Sequence, residues 1–214
     1  MQPVVAVVPA LNEESTISHV VDMLKKSPLL SEVIVVSDGS TDNTAHLARV
    51  AGARVLELPQ NRGKGAALFF GVAHTEAPIV LFFDADLLNV SLSHIERLVL
   101  PVQSGAAAMT IGLVDRGLVF NWATRRLPKI SGMRAIKREI IQDIDPDLLQ
   151  GFMVETTLNA YCHRHHLSVR TVLLPGLTIK RKIEKVGLKA GLIGYVRMSF
   201  EILRAEVITR FKKL

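Results

Sequence analysis

The sequence has little of what marks several large classes of protein. Its 214 residues include a single cysteine, Cys162, so no intramolecular disulfide can form and nothing points to an oxidising compartment. Two Tyr and one Trp are too few to interleave with basic residues as in many nucleic-acid-binding surfaces. No helix-turn-helix or RRM signature is found either, so we expect no nucleic-acid partner.

Long hydrophobic runs are also missing. No segment approaches the roughly 18 uncharged apolar residues that a membrane-spanning helix requires. The N-terminal stretch has no basic region, and Asn12, Glu13 and Glu14 interrupt it, unlike a signal peptide. We therefore expect a cytoplasmic protein, and the length suits one globular domain.

Positive charge is concentrated in the C-terminal residues. Residues 176–214 contain ten Lys and Arg and three Glu, a net charge of +7, so the first 175 residues sum to −1 of the total of +6. Residues 187–214 are predicted to form an amphipathic helix. This helix could pack on the domain, which we prefer, form a homodimer, or lie on the inner face of a membrane as a peripheral contact.

The first half of the chain alternates apolar strands with helical segments. We predict strands over 4–8, 33–36, 53–58 and 79–83, and helices over 14–26, 41–51 and 65–74. Asn12 or Ser15 is expected to cap the first helix. In the second half we predict helices over 93–103, 137–144 and 155–165, and strands over 106–114 and 169–174. The alternation indicates an α/β fold whose mostly parallel sheet is covered on both faces.

Polar turns follow three of the predicted strands: Asn12 to Glu14, Asp38, and Asp84 to Asp86. Parallel sheets bind ligands at the carboxyl ends of their strands. The positions of these turns therefore indicate a ligand site at that edge of the sheet.

Asp84 and Asp86 stand two residues apart after an apolar strand, so their carboxylates point to the same side of an extended chain. A hard divalent cation such as Mg²⁺ or Mn²⁺, shared with substrate phosphates, would neutralise them. The alternative is a solvated acidic turn.

Residues 61–65 place two glycines and two basic side chains before a helix, which predicts an anion cradle; a plain basic turn is the alternative. A dinucleotide fingerprint is excluded because Leu68 stands where a third small residue belongs, and no P-loop sequence is present. Asp38 is a candidate to bind a nucleobase, whereas Asp42 is expected to be structural.

Four motifs in this order resemble the family 2 glycosyltransferases: VVPALNEE at 7–14, VIVVSDGSTDNT at 33–44, NRGKGAAL at 61–68 and VLFFDADL at 80–87. The resemblance continues weakly through 131–139 and 151–158. It is greatest to dolichyl- or polyprenyl-phosphate sugar synthases and more distant to glucosyl-phosphoglycerate synthases. It implies a GT-A three-layer α/β/α sandwich over 1–186, with a nucleotide half of about 1–90 and an acceptor half of about 91–186, before the helix at 187–214.

The resemblance also implies roles for the matching residues. Nucleotide-sugar contacts would come from Pro9, Ala10, Asn12, Glu14, Asp38, Lys64, Asp84 and Ala85. Mg²⁺ or Mn²⁺ would be bound by Asp84 and Asp86, and the acceptor by Ser131, Gly132 and Arg134. Asp86, Arg134 and Glu155 are expected to be catalytic. Arg181, in the basic run 180–182, is a further candidate for an acceptor phosphate, with a solvated basic face as the alternative.

The implied function is transfer of a sugar from a UDP- or GDP-linked donor to a phosphate-bearing acceptor, with polyprenyl phosphate expected. The alternatives are a small soluble acid such as phosphoglycerate, or a non-catalytic nucleotide-sugar-binding module. Leu88 stands where the polyprenyl-phosphate synthases often carry Gln, and Lys180 where the phosphoglycerate enzymes carry a histidine ligand. No Glu-Asp pair that could act as general base is found, which favours a phosphate acceptor.

Overall fold

A seven-stranded sheet forms the centre of the protein, in a computed structural model that describes residues 2–114, 131–145 and 153–179. The strands are β1 (Val4–Ala10), β2 (Glu32–Asp38), β3 (Arg54–Leu58), β4 (Ile79–Phe82), β5 (Leu87–Leu88), β6 (Met109–Val114), β7 (Arg134–Lys137), β8 (Val169–Leu174) and β9 (Thr178–Ile179). The helices are α1 (Ile17–Lys25), α2 (Thr44–Val50), α3 (Lys64–Ala73), α4 (Leu92–Gln103), α5 (Arg138–Gln142) and α6 (Met153–Arg164).

The sheet has the order β3-β2-β1-β4-β7-β6-β8, and a separate two-stranded ribbon joins β5 to β9. β7 is antiparallel to β4 and β6, and the other neighbouring strands of the sheet pair in parallel. The predicted mostly parallel α/β sheet is therefore confirmed. β7 was not predicted, because four residues are too short a segment for a period-2 pattern to stand out.

Helices cover both faces of the sheet, as the prediction of three layers requires. Along β1, Val4, Ala6 and Val8 pack with buried residues of α1 and α4. Val5 and Val7 point to the other face and pack with residues of α3, α5 and α6. Because both faces are buried, β1 is a continuous apolar run rather than an alternating one.

Some predicted helix ends were wrong. α1 begins at Ile17 after Thr16, which makes no side-chain capping hydrogen bond, so neither Asn12 nor Ser15 caps it. α2 begins at Thr44 rather than Thr41. In both cases the polar residues before the helix do not extend it. They form hydrogen bonds that join the loop between β1 and α1 to the loop between β2 and α2.

The segment 187–214 and the basic run 180–182 lie outside the described residues, so their roles and the boundary at 186 stay predictions. Among the described residues, no helix is long and apolar enough to cross a membrane.

Candidate active site

The predicted polar turns converge on one edge of the sheet. The chain leaves β1, β2 and β4 at this edge, because these three strands are parallel neighbours. β7 runs the other way beside β4, so residues 131 and 132, just before it, reach the same edge. The site therefore combines segments from both halves of the chain.

Side chains predicted to line the nucleotide pocket join two of these loops together. Asn12 Oδ1 accepts the backbone N–H of Thr41 at 2.9 Å. Glu14 Oε2 accepts the backbone N–H of Asn43 at 3.1 Å, and the N–H of Glu14 donates to Asp42 Oδ2 at 3.2 Å. The loops after β1 and β2 are thus one hydrogen-bonded unit. Contact of Asn12 and Glu14 with a nucleotide stays a prediction.

Asp42 has the structural role expected of it, although it precedes α2 rather than lying in its first turn. Its Oδ1 accepts the hydroxyl and the backbone N–H of Thr44. Burial alone would raise the pKa of Asp42, but these hydrogen bonds and the one from Glu14 outweigh it, so the pKa lies below its ordinary value.

Asp38 is buried at the end of β2 and holds the turn that precedes α3. Its two carboxylate oxygens accept the backbone N–H groups of Arg62 at 2.7 Å and Gly63 at 2.8 Å. The predicted anion cradle at 61–65 is therefore corrected in part, because two of its N–H groups bind a carboxylate of the protein itself. A base contact by Asp38 stays a prediction.

Gly39 allows this close approach of the two loops. Its φ is +71°, and an added Cβ would lie 2.5 Å from the backbone nitrogen of Asn61. A side chain at this position would be strained and would collide with backbone, so the turn requires glycine.

Lys64, Asp84 and Glu155 form a charged cluster at the centre of the edge. Lys64 Nζ lies 2.7 Å from Asp84 Oδ1 and 3.3 Å from Glu155 Oε1. The three side chains are 25%, 20% and 4% exposed, respectively. Burial would lower the pKa of Lys64, but the two carboxylates raise it above its ordinary value. Lys64 is therefore a fixed positive charge at neutral pH.

Gly132 packs directly on this cluster. An added Cβ would lie 2.1 Å from Lys64 Nζ and 2.5 and 2.7 Å from the two oxygens of Asp84. The backbone of residue 132 therefore forms part of the wall around the ion pair, and a side chain would collide with it.

Glu155 is 3% exposed and carries a buried oxygen, Oε2, for which no hydrogen-bond partner is found among the described residues. An unsatisfied buried carboxylate oxygen is costly and is typical of functional positions. Its location beside Lys64 suits a ligand that can donate a hydrogen bond.

Arg134 is fully buried and bonds to protein groups. Its Nε and Nη2 donate to the carbonyl oxygen of Ser131 at 3.2 and 2.6 Å, and Nη1 donates to the carbonyl oxygen of Glu155 at 3.4 Å. Burial lowers its pKa, with Glu155 opposing. Arg134 has no exposed surface and holds Ser131 and Glu155 in place; its contact with an acceptor and its catalytic role stay predictions.

The remaining predicted residues are placed as follows. Pro9 and Ala10 end β1, and the Ala10 and Ala85 side chains are buried in the core, so a nucleotide could meet their backbone alone. The Ser131 hydroxyl donates to the carbonyl of Gly112. Asp86 is partly buried, and Arg181 lies outside the described residues.

No group of three or more His, Cys, Asp or Glu side chains that could hold a metal is found among the described residues. Among these residues, a metal bound at Asp84 and Asp86 therefore has no third ligand of these types. His163, His165 and His166 are exposed, and His165 stacks on Tyr161.

Sequence reasoning missed several polar residues that shape the site. Thr41, Thr44 and Ser40 bond across the loops, and Asn159 Oδ1 accepts a hydrogen bond from Arg134. The clustering of hydroxyl residues in SDGSTDNT was the available signal for the first three. Asn159 gave none, because its partner is 25 residues away.

The fold and the site together define a class: a three-layer α/β protein that carries two neighbouring acidic residues and a partly buried lysine at the ligand-binding edge of its sheet. The model of the family described as "Glycosyl transferase family 2" matches residues 5–161. The chain belongs to this family, which confirms the resemblance and the GT-A fold.

Similar proteins include glucosyl-3-phosphoglycerate synthase from Mycobacterium tuberculosis, 31% identical over 187 residues that cover 81% of this chain and 57% of the relative. The 4,4'-diaponeurosporenoate glycosyltransferase from Staphylococcus aureus is 35% identical over 98 residues, 44% of this chain and 26% of the relative. The chain thus spans little more than half the length of the first of these relatives.

Solved structures of glucosyl-3-phosphoglycerate synthase from Mycobacterium tuberculosis have the same fold. Its complex with Mg²⁺ and uridine diphosphate is 27% identical with a TM-score of 0.78, covering 97% of this chain and 79% of that one. Its complex with Mn²⁺, UDP-glucose and phosphoglyceric acid has the same identity and coverage and a TM-score of 0.77.

Proposed function

We propose that this protein transfers a sugar from a uridine-diphosphate sugar, with Mg²⁺ or Mn²⁺, to a small phosphate-bearing acid of the phosphoglycerate type. The observation that carries the proposal is the cluster of Lys64, Asp84 and Glu155 beneath Gly132. It gathers the groups that a nucleotide-sugar site needs, and gathers them where family 2 glycosyltransferases carry their motifs.

The residues present fit a hard divalent cation. Asp84 and Asp86 offer carboxylate oxygens, and the Asp84 side chain is one-fifth exposed. Mg²⁺ and Mn²⁺ prefer such ligands and complete their shells with phosphate oxygens and water. When bound, the metal stabilises the charge that develops on the departing diphosphate.

The protein's own groups supply positioning and charge. Lys64 is a fixed cation close enough to Asp84 to reach a diphosphate bound there. Glu155 Oε2 is an acceptor for a sugar hydroxyl. The backbone at Gly132 sets how closely the sugar can approach. Together they hold the donor for attack by an acceptor oxygen at the anomeric carbon.

The acceptor class is inferred from the similar structures. A structure that covers 97% of this chain binds phosphoglyceric acid together with UDP-glucose. Besides its ionised phosphate and carboxylate groups, phosphoglyceric acid carries a hydroxyl oxygen, which must lose its proton if it is the attacking atom, whereas a phosphate oxygen is already ionised and needs no general base. Polyprenyl phosphate presents such an ionised oxygen, but the similar proteins described above are not named for it, so it becomes the comparison arm of the test.

The test measures release of UDP from UDP-glucose in the presence of Mn²⁺, with 3-phosphoglycerate, polyprenyl phosphate in detergent, or no acceptor. We expect turnover with 3-phosphoglycerate, lost in the double variant Asp84→Asn/Asp86→Asn and retained in Glu76→Gln, whose exposed side chain pairs with Arg138 before β4, at the opposite edge of the sheet.

Turnover with polyprenyl phosphate alone would transfer the assignment to the lipid acceptor. A different outcome is that the protein binds UDP-glucose but neither transfers nor slowly hydrolyses the sugar under any of these conditions. That outcome would indicate a non-catalytic binding module. GDP-glucose in a parallel assay tests the base.

A further inference from the structure

Lys64 and a divalent metal would use the same carboxylate. Lys64 Nζ lies 2.7 Å from Asp84 Oδ1, a distance typical of a charge-assisted hydrogen bond. A metal bound by Asp84 would place two positive charges next to this ammonium. The two cations repel each other, so both cannot bind Asp84 at full strength.

The ammonium is also held from a second side. Glu155 Oε1 lies 3.3 Å from Nζ, and Gly132 leaves no room for the amine to move toward residue 132. Leaving Asp84 therefore costs Lys64 an ion pair unless another anion takes its place. The diphosphate of a nucleotide sugar is such an anion.

We propose that Lys64 makes metal binding conditional on a nucleoside diphosphate. Without a diphosphate, the ammonium competes with the metal for Asp84. With one, the ammonium pairs with phosphate oxygens and Asp84 becomes available to the metal. This inference rests on the proposed function and adds an order to it: metal and diphosphate enter together, and a nucleoside monophosphate opens the site poorly.

The experiment measures the Kd of Mn²⁺ by isothermal titration calorimetry with no nucleotide, with UMP and with UDP. The proteins are the wild type, Lys64→Met, Lys64→Gln, Lys64→Arg and the matched control Lys137→Met. Lys137 is a partly exposed lysine, paired with Glu139, so its loss changes the net charge equally without touching Asp84. Thermal unfolding checks that each variant is folded.

For the wild type we expect weak Mn²⁺ binding that tightens strongly with UDP and much less with UMP. Lys64→Met and Lys64→Gln should bind Mn²⁺ without nucleotide at least about tenfold more tightly than the wild type, since a charge-assisted hydrogen bond contributes at least that factor. The further gain on adding UDP should shrink by a similar factor, as linkage requires. Lys64→Arg and Lys137→Met should behave like the wild type without nucleotide.

Unchanged or weaker nucleotide-free Mn²⁺ binding in the neutral Lys64 variants would overturn the inference. So would the same change in Lys64→Arg, because a purely structural role of the lysine would affect all substitutions alike. No Mn²⁺ binding by any folded protein, even with UDP, would instead contradict the proposed function.

Discussion

Gly132→Ala is the substitution whose effect the structure defines most sharply. The added Cβ would lie 2.5 and 2.7 Å from the Asp84 oxygens, whereas ordinary van der Waals contact of a Cβ begins at 3.4 Å. The carboxylate must therefore move by close to an ångström. Metal sites tolerate about 0.2 Å in ligand distance, so we expect Mn²⁺ affinity in the presence of UDP to fall by about tenfold or more.

The same substitution should affect stability much less. Overpacking costs about 1–3 kcal/mol, but Lys64 has a flexible end that can move aside, and replacing glycine reduces the entropy of the unfolded chain by about 0.4–1 kcal/mol. The backbone of Gly132 is not in the left-handed region, so no backbone strain is added. We expect a net loss of no more than about 2 kcal/mol in the free energy of unfolding.

Calorimetry with Mn²⁺ and UDP, together with urea unfolding, measures both quantities. Gly71→Ala is the matched control, because its Cβ would lie 2.4 Å from a Val7 methyl group in the core. That variant should lose stability but keep its Mn²⁺ affinity. If Gly132→Ala binds Mn²⁺ and UDP like the wild type, residue 132 does not form part of the metal site and the reasoning fails.

Three further predictions concern stability. Asp38→Asn should lower the free energy of unfolding in urea by about 2–3 kcal/mol, because an amide cannot accept both backbone N–H groups; exposed Asp22→Asn should change it by less than about 0.5 kcal/mol. Burial would raise the pKa of Asp42, but hydrogen bonding holds it below 3.8. Its contribution to the free energy of unfolding is therefore present above that pH and is lost as the pH falls through the pKa of the folded protein. Asp42→Asn should flatten the acid side of a plot of stability against pH, and an unchanged acid side would contradict this. Burial raises the pKa of Cys162 from 9.0 to about 11. Its contribution to the free energy of unfolding is therefore complete below pH 9 and is lost as the pH rises toward 11. Cys162→Ala should reduce the loss of stability with pH in this range, and the native thiol should resist a thiol reagent at pH 8 until the protein unfolds.

The fold of the first half could be read from the sequence because its signals are local. β1, β2 and β4 are largely apolar runs buried on both faces, β3 is a short, partly exposed strand at the edge of the sheet, and α1 shows a 3.6-residue period of buried residues. β7 and β5 could not be found this way. Their four and two residues acquire strand geometry from pairing with β4 and β9, partners that lie 52 and 92 residues away at the paired positions Phe82↔Arg134 and Leu87↔Ile179.

The site was predictable in position but not in the use of its hydrogen bonds. Strand ends located Asp38 and Asp84 at one edge, and the family resemblance placed Lys64 with them. Nothing in the sequence says that Asp38 accepts the N–H groups of residues 62 and 63, or that Arg134 lies with no exposed surface under residue 131. Such contacts join residues distant in sequence, and residue type alone does not distinguish a ligand contact from an internal one.

The site is assembled from segments that lie far apart in the sequence, which has a consequence for how the protein folds. Lys64 and Asp84 are brought together by strands that follow one another closely along the chain, whereas Gly132 and Glu155 reach them through contacts of much larger sequence separation. Contacts of large separation cost more loop-closure entropy and form more slowly. During synthesis on a ribosome, Lys64 and Asp84 would emerge before the backbone at Gly132 that later covers them. The complete pocket could form only after α6, which carries Glu155, had been synthesised.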